Sequence, residues 1–244
     1  MFGKKKKAPP FVTAIIPAAG ASRRMGGGNK LLMELDGVPV LGRTLLALEG
    51  CEIIREIIVA ASEENIVAYA ELGKSLGVTK LTKVVKGGAT RQESVYRAAQ
   101  EASDQAEYLA VHDGARPLVT ADVVQKACEG AFLHTCAAAA VPVHDTIKKV
   151  HKDGHIESTV DREDLRAMQT PQVADKSLLI AALQSAIEAG AAVTDECAAL
   201  ERMGARPVIT EGSFENIKIT TPDDFYAMRA ILEAKENAQI YGLD

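Results

Sequence analysis

The sequence predicts an α/β fold: a Rossmann-like, mostly parallel sheet with helices on both faces and a protruding β-hairpin arm. Three observations predict it. Apolar runs of strand length alternate with longer segments of helical periodicity as far as residue 143. A loop of small residues and glycines directly follows the first apolar run. The alternation then yields to β-branched residues on both sides of Asp153-Gly154, a hairpin-turn signal. Alternation of this kind implies parallel strands joined by right-handed helical crossovers, which puts helices on both faces.

Residues 11–16, Phe-Val-Thr-Ala-Ile-Ile, read as the first strand. Pro39 suits a first helical position, and apolar residues at helical spacing follow over 40–48. Residues 53–60 read as a second strand, and 62–75 as a helix capped by Ser62. A strand over 81–85 leads into Lys86-Gly87-Gly88 and a helix from 92 to 102. Residues 108–112 form a strand, Thr120 can cap a helix to Leu133, and 136–143 is a fifth strand. The arm spans 145–160; a lone hairpin is marginal in water, so it should pack on something, and a homodimer partner is expected. Helices follow near 176–189 and 195–203, with short strands at 207–210 and 216–219. Pro222 opens the last helix, with Thr221 as its N-cap. The expected division is a disordered basic tip over 1–10 and one domain over 11–244.

A chain of 244 residues is long enough for one α/β domain to bury roughly 70–75% of its unfolded surface. Its 47% hydrophobic and 25% charged residues match an ordinary globular protein. With no Trp and five each of Phe and Tyr, the core must be built from Ala, Val, Leu and Ile. That bias argues against an aromatic stacking platform for nucleic acid. The net charge is −5, but Lys4 to Lys7 carry four positive charges, leaving −9 on the rest. A basic tip on an acidic body does not describe a binder of phosphate backbones. The tip is too short and polar for a secretory segment, and no apolar run approaches the ~18–20 residues of a membrane span. Cys51, Cys128, Cys136 and Cys197 have no C-x-x-C spacing, and His151 and His155 have no second ligand pair nearby in sequence. Free thiols in a reducing cytoplasm are the expectation.

Ligands of open α/β sheets sit beyond the carboxyl ends of the strands, so the residues after each strand carry the chemistry. After the first strand come Pro17-Ala18-Ala19-Gly20, then Arg24, three glycines, Asn29 and Lys30. Small residues let phosphates approach backbone N–H groups, and the two cations can neutralise them. The loop lacks the Gly-Lys-Ser/Thr of a P-loop and the second and third glycines of the dinucleotide fingerprint. After the third strand, Gly87-Gly88 can approach a base, with Arg91 and Ser94 beyond. After the fourth stands His112-Asp113-Gly114-Ala115-Arg116-Pro117: Asp113 can hold a metal or a hydroxyl, and Arg116 an anion.

In this order, and with Asp145-Thr146, Val160-Asp161-Arg162, Gln169-Thr170-Pro171-Gln172, Thr194-Asp195-Glu196 and Asn216-Ile217-Lys218-Ile219-Thr220, the motifs resemble a family of nucleotidyltransferases, the 2-C-methyl-D-erythritol 4-phosphate cytidylyltransferases. The resemblance runs from Ile15 to the last helix. It implies that Ala18, Ala19, Gly20, Gly88 and Ser94 hold CTP, and that Arg24, Lys30 and Lys218 are catalytic cations. It further implies that Asp113, Arg116, Thr146, Arg162 and Thr170 serve the acceptor phosphate, Arg162 from a neighbouring subunit. Asp113 would orient Mg²⁺. Relatives commonly carry Pro before the loop lysine and an acidic residue after the double glycine; here Asn29 and Ala89 stand there.

The implied reaction joins an acceptor phosphate to the α-phosphorus of CTP and expels pyrophosphate. A phosphate monoester has a second pKa near ~6, so the nucleophile is already mostly dianionic at pH 7 and needs no general base. The obstacle is repulsion, about 1 kcal/mol per charge pair at 4 Å in water and more in a drier site. Alignment and charge neutralisation must therefore carry catalysis. Three other readings share parts of this pattern: a cytidylyltransferase for another polyol phosphate such as ribitol 5-phosphate, a sugar-1-phosphate nucleotidyltransferase, and a non-catalytic nucleotide-binding module.

Overall fold

The computed structural model describes residues 9–20 and 29–241. The basic tip before residue 9 and the loop over 21–28, with Arg24, lie outside the described residues. A seven-stranded sheet organises the rest. In chain order its strands are β1 (Val12–Ala18), β4 (Ile54–Ala61), β5 (Leu81–Lys86), β6 (Tyr108–Val111), β7 (Cys136–Pro142), β10 (Arg166–Asp175) and β11 (Val208–Glu211). The spatial order is β11-β7-β10-β6-β1-β4-β5. Only β10 runs antiparallel, against both β6 and β7. The intervening labels belong to two small hairpins, β2 (Glu34–Leu35) with β3 (Val38–Pro39), and β8 (Ile147–Val150) with β9 (Ile156–Val160).

Side chains alternate across a strand, so β1 serves both faces. Ile16 joins one core with Ile57 and Val59 of β4, and Ile15 joins the other with Ile58. The first core is covered by α1 (Val40–Glu49), α2 (Ile66–Ser75), α4 (Ala121–His134) and α7 (Pro222–Tyr241), through Leu41, Leu45, Tyr69, Val124 and Met228. The second is covered by α3 (Arg91–Gln100), α5 (Lys176–Glu188) and α6 (Glu196–Arg202), through Val95, Leu179, Leu183 and Leu200. Small residues set close packing at β7. A Cβ on Gly130 of α4 would lie 2.7 Å from Thr210 and 3.0 Å from Ala137. The four cysteines are buried free thiols. Among the described residues, no helix is long and apolar enough to cross a membrane.

The helices begin where side-chain acceptors reach the first unpaired N–H groups. Thr120 accepts from Val123 N, Thr90 from Glu93 N, and Asp195 from Ala198 N. Ser62 does not cap α2. A 3₁₀ turn over Glu63–Asn65 intervenes, and the Ser62 hydroxyl bonds Glu64 and Asn65 instead. Pro39 stands before α1 rather than inside it, because it closes the β2–β3 hairpin. Residues 216–219 do not form a strand. They are held by Ile219 N donating to Ala115 O (2.9 Å) and by the buried Asn216 amide donating to Thr170 O (2.8 Å).

The arm is the predicted hairpin. Gly154 turns it at φ +90°, a left-handed conformation that favours glycine. Val150 and Ile156 are 56% and 63% exposed, so the arm leaves apolar side chains uncovered in the single chain.

Candidate active site

A cleft of about 480 Å³ opens beyond the carboxyl ends of β1 and β6 and the N-terminus of α3. Its walls include Ala18, Ala19 and Gly20 from β1 and its loop, Lys30, Gly88 and Ser94, Asp113, and Lys218. Eight residues predicted from sequence thus meet on one rim. Four others do not line it. Arg116 and Thr170 are buried behind it, and Thr146 and Arg162 are exposed at the base of the arm. Arg162 donates to His144 O. Arg24 lies outside the described residues.

The floor is built around Asp113, which is 7% exposed. Lys218 Nζ lies 2.7 Å from its Oδ2. Arg91 reaches Oδ1 through Nη2 at 3.1 Å and Nε at 3.3 Å. Arg116 Nε stands 3.8 Å from Oδ2. Burial alone would raise this carboxyl's pKa, but Arg91, Lys218 and Arg116 outweigh it and hold Asp113 far below the usual carboxylate range. It is an anion near neutral pH.

Arg91 also grips Glu196 of α6 with two bonds, Nη1–Oε1 at 2.6 Å and Nη2–Oε2 at 3.1 Å. Burial opposes the guanidinium charge, and the Glu196 and Asp113 carboxylates more than restore it. The planar fork of Arg suits this bidentate pairing. Arg91 was visible in the sequence beside Gly88 but was not read as a site residue, and Glu196 sits 105 residues away. Only folding brings them together.

His112 is fully buried, and burial pushes its pKa down to about 4. The ring is neutral near pH 7. Its Nε2 faces Arg116 O at 3.2 Å, and a carbonyl only accepts, so Nε2 carries the proton. Nδ1 then accepts from the Thr170 hydroxyl at 3.0 Å, whose oxygen accepts from Asp113 N at 3.1 Å. Thr170 therefore orients Asp113 through the backbone and does not face the cleft. Arg116 acts similarly at one remove, with Nη1 donating to Asn216 O at 2.5 Å.

Ser94 is turned toward the backbone. Its Oγ accepts from Gly88 N at 3.0 Å and donates to Thr90 O at 2.8 Å, which shapes the double-glycine turn. A Cβ on Gly87 would lie 2.7 Å from that of Ala19, so the two loops approach closely only because residue 87 is glycine. Beside it, Glu93 Oε2 accepts from Ala89 N at 2.8 Å. On the opposite wall, Lys30 Nζ donates to Ile219 O at 2.6 Å.

Three cations, Lys30, Arg91 and Lys218, and the Asp113 carboxylate therefore line one cleft with a small-residue loop. That arrangement can receive a polyphosphate at the backbone and offset its charge from several sides. Comparison with known proteins shows the family. Residues 12–234 match the family model described as 2-C-methyl-D-erythritol 4-phosphate cytidylyltransferase. A relative of that name from Bacillus cereus is 43% identical, over 92% of this chain and 99% of its own length. One from Symbiobacterium thermophilum is also 43% identical, over 91% of this chain and 93% of its own. Among solved structures, 4-diphosphocytidyl-2C-methyl-D-erythritol synthase of Anaerococcus prevotii superposes with TM-score 0.82 at 27% identity, covering 92% of this chain and 99% of that one. The Thermus thermophilus 2-C-methyl-D-erythritol 4-phosphate cytidylyltransferase superposes with TM-score 0.73 at 30% identity, covering 91% and 98%. A match that spans both cores and every described residue lining the cleft leaves one conclusion: this chain belongs to the 2-C-methyl-D-erythritol 4-phosphate cytidylyltransferase family.

Proposed function

We propose that this protein transfers CMP from CTP to 2-C-methyl-D-erythritol 4-phosphate, giving 4-diphosphocytidyl-2-C-methyl-D-erythritol and pyrophosphate, a step in isoprenoid precursor synthesis. The observation that carries the reading is the pairing of Lys218 and Arg91 with Asp113 in one cleft with Lys30, on the rim where Ala18, Ala19, Gly20 and Gly88 expose backbone. Ala18, Ala19, Gly20 and Gly88 receive the nucleotide, with Ser94 holding Gly88 in place. Lys30, with Arg24 of the adjoining loop, offsets the triphosphate. Lys218 is poised on Asp113 and can turn to the acceptor phosphate as it arrives. Asp113 keeps both Arg91 and Lys218 aimed, and Arg116 and Thr170 fix Asp113. With no base required, orientation and neutralisation suffice.

Magnesium fits as an ion carried on the triphosphate. It takes one or two carboxylates beside substrate phosphates. Asp113 is the carboxylate lining the cleft among the described residues. Bound there, magnesium would neutralise phosphate charge.

The working unit is a cytoplasmic homodimer joined through the arm. The uncovered Val150 and Ile156 support that reading, as does the placement of Thr146 and Arg162 outside their own chain's cleft. Arg162 and Thr146 then serve the neighbouring subunit's acceptor.

A panel of CTP with 2-C-methyl-D-erythritol 4-phosphate and with ribitol 5-phosphate, read as pyrophosphate release, tests the function. Turnover confined to the first acceptor is expected. Preference for the second would reassign the acceptor, and tight CTP binding without release from either would leave a nucleotide-binding module.

A further inference from the structure

Lys30 is anchored on two sides, and one anchor comes from a helix that does not line the cleft. Asn29 has φ −74° and caps the short turn that begins at Lys30, its Oδ1 accepting from Leu31 N at 3.1 Å. Both hydrogens of its amide are used. Nδ2 donates to Asn65 Oδ1 at 3.2 Å and to the Tyr69 hydroxyl at 2.9 Å. Tyr69 is 1% exposed within the core under α2, and Asn65 stands at the start of that helix and is held in turn by Ser62 at 2.7 Å. On the other side of Lys30, Leu31 is buried and lines the cleft. The lysine backbone is thus pinned between a clamped residue and a buried one, immediately after three glycines in sequence.

We propose that α2 is a positioning element for Lys30, acting through a clamp of Asn29, Asn65 and Tyr69. The clamp rests on the functional reading above, because Lys30 is its output. It does by hydrogen bonds what a proline ring would do by covalent restraint, since φ −74° at residue 29 lies in the range that proline imposes. Tyr69 and Asn65 are therefore positioning residues that touch no substrate.

The test is a set of double-mutant cycles on folded protein, checked by circular dichroism. Tyr69→Phe removes one hydroxyl and should lower kcat about fivefold, the rate equivalent of one hydrogen bond, with KM for the acceptor unchanged. Asn29→Ala should cost more, and adding Tyr69→Phe to it should cost nothing further. Asn29→Pro should recover part of the loss of Asn29→Ala. In a Lys30→Ala background, Tyr69→Phe should have no effect on residual turnover; a merely structural role would lower it again by the same factor. The same cycles read in the Kd for CTP by calorimetry keep the clamp testable should the acceptor be misassigned. Wild-type kcat and CTP affinity in Tyr69→Phe, or losses that multiply in the double variant, would overturn the clamp. Absence of turnover in the wild-type protein would overturn the functional reading alone.

Discussion

Lys218 Nζ lies 2.7 Å from Asp113 Oδ2, which ties the segment after β11 to the end of β6 across the cleft floor. Asp113 Oδ1 is taken by Arg91, whose far side is taken by Glu196. The result is a chain of alternating charge, Lys218, Asp113, Arg91, Glu196. Arg91 is spent on two carboxylates and acts as a brace. Lys218 shares a carboxylate with other cations and is 39% exposed, so it is the member able to exchange Asp113 for an incoming phosphate.

Removing a cleft cation should therefore act on turnover more than on folding. Lys30→Ala is expected to lower kcat on the order of 10²-fold or more, the scale of losing one oriented electrostatic donor. Steady-state pyrophosphate release from protein with an unchanged melting transition checks it, and near-wild-type turnover would refute it.

Arg91→Ala should behave differently. It strands Glu196, which is 1% exposed, and leaves Asp113 with fewer partners. Breaking a buried pair costs about 3–5 kcal/mol, and because the Arg91 side chain is 30% exposed the lower end is expected. Arg91→Lys should not restore the loss, because an ammonium lacks the planar fork that meets both Glu196 oxygens. Urea unfolding measures both.

The start of α7 adjoins Lys30 and has its own pH dependence. Asp224 Oδ2 accepts from Thr220 N and Thr221 N, each at 2.7 Å, and from the Thr221 hydroxyl at 3.1 Å. Slight burial would raise its pKa, but these donors outweigh it and hold the carboxyl below its usual value of 3.8. A depressed pKa means that the stabilisation is complete above the unfolded value and is lost as pH falls through the folded one. Asp224→Asn is expected to cost about 1 kcal/mol near neutrality, the usual worth of such a cap, and to flatten the acid limb below about pH 4. Thermal melts from pH 3 to 7 read both effects. Parallel curves for the two proteins would show that the carboxylate charge is not involved.

The arm makes a prediction about sharing. Arg162→Ala and Lys30→Ala subunits should each be impaired alone. Mixed as heterodimers, they should recover activity, because one composite site then holds an intact Lys30 and an intact Arg162. Purification through two different affinity tags demonstrates the heterodimer, and no recovery in it removes the shared site.

What could be read along the chain was whatever depends on neighbours in sequence. The alternation of apolar runs, the cap at Thr120 and the turn at Asp153-Gly154 are local, and all three appear as expected; the helix expected from residue 92 starts at Arg91, on a Thr90 cap that was not anticipated. Gly88 and Asp113 line the cleft because in this fold it lies where strands end, whereas Lys218 was legible only through the family resemblance. The strand β10 was not legible. It is buried, yet it carries Gln169, Thr170 and Gln172 and is interrupted by Pro171, a pattern that argues against a central strand.

Those polar groups are tolerated only because distant partners satisfy them. Gln172 donates to Asp195 and accepts from Cys197 N at the start of α6, and Gln169 bonds Ser213 on both sides of its amide. The register break between Met168 and Gln172 accommodates the proline. The same distance hid the roles of Arg91 and Glu196, and the fact that Thr170 and Arg116 stand behind the cleft rather than in it. Local sequence determined which segments became strands, helices and ligand loops, since propensity and periodicity act over a few residues. Tertiary structure decided which charges meet, because a buried ion needs its partners within a few ångströms in space, wherever they lie in the chain.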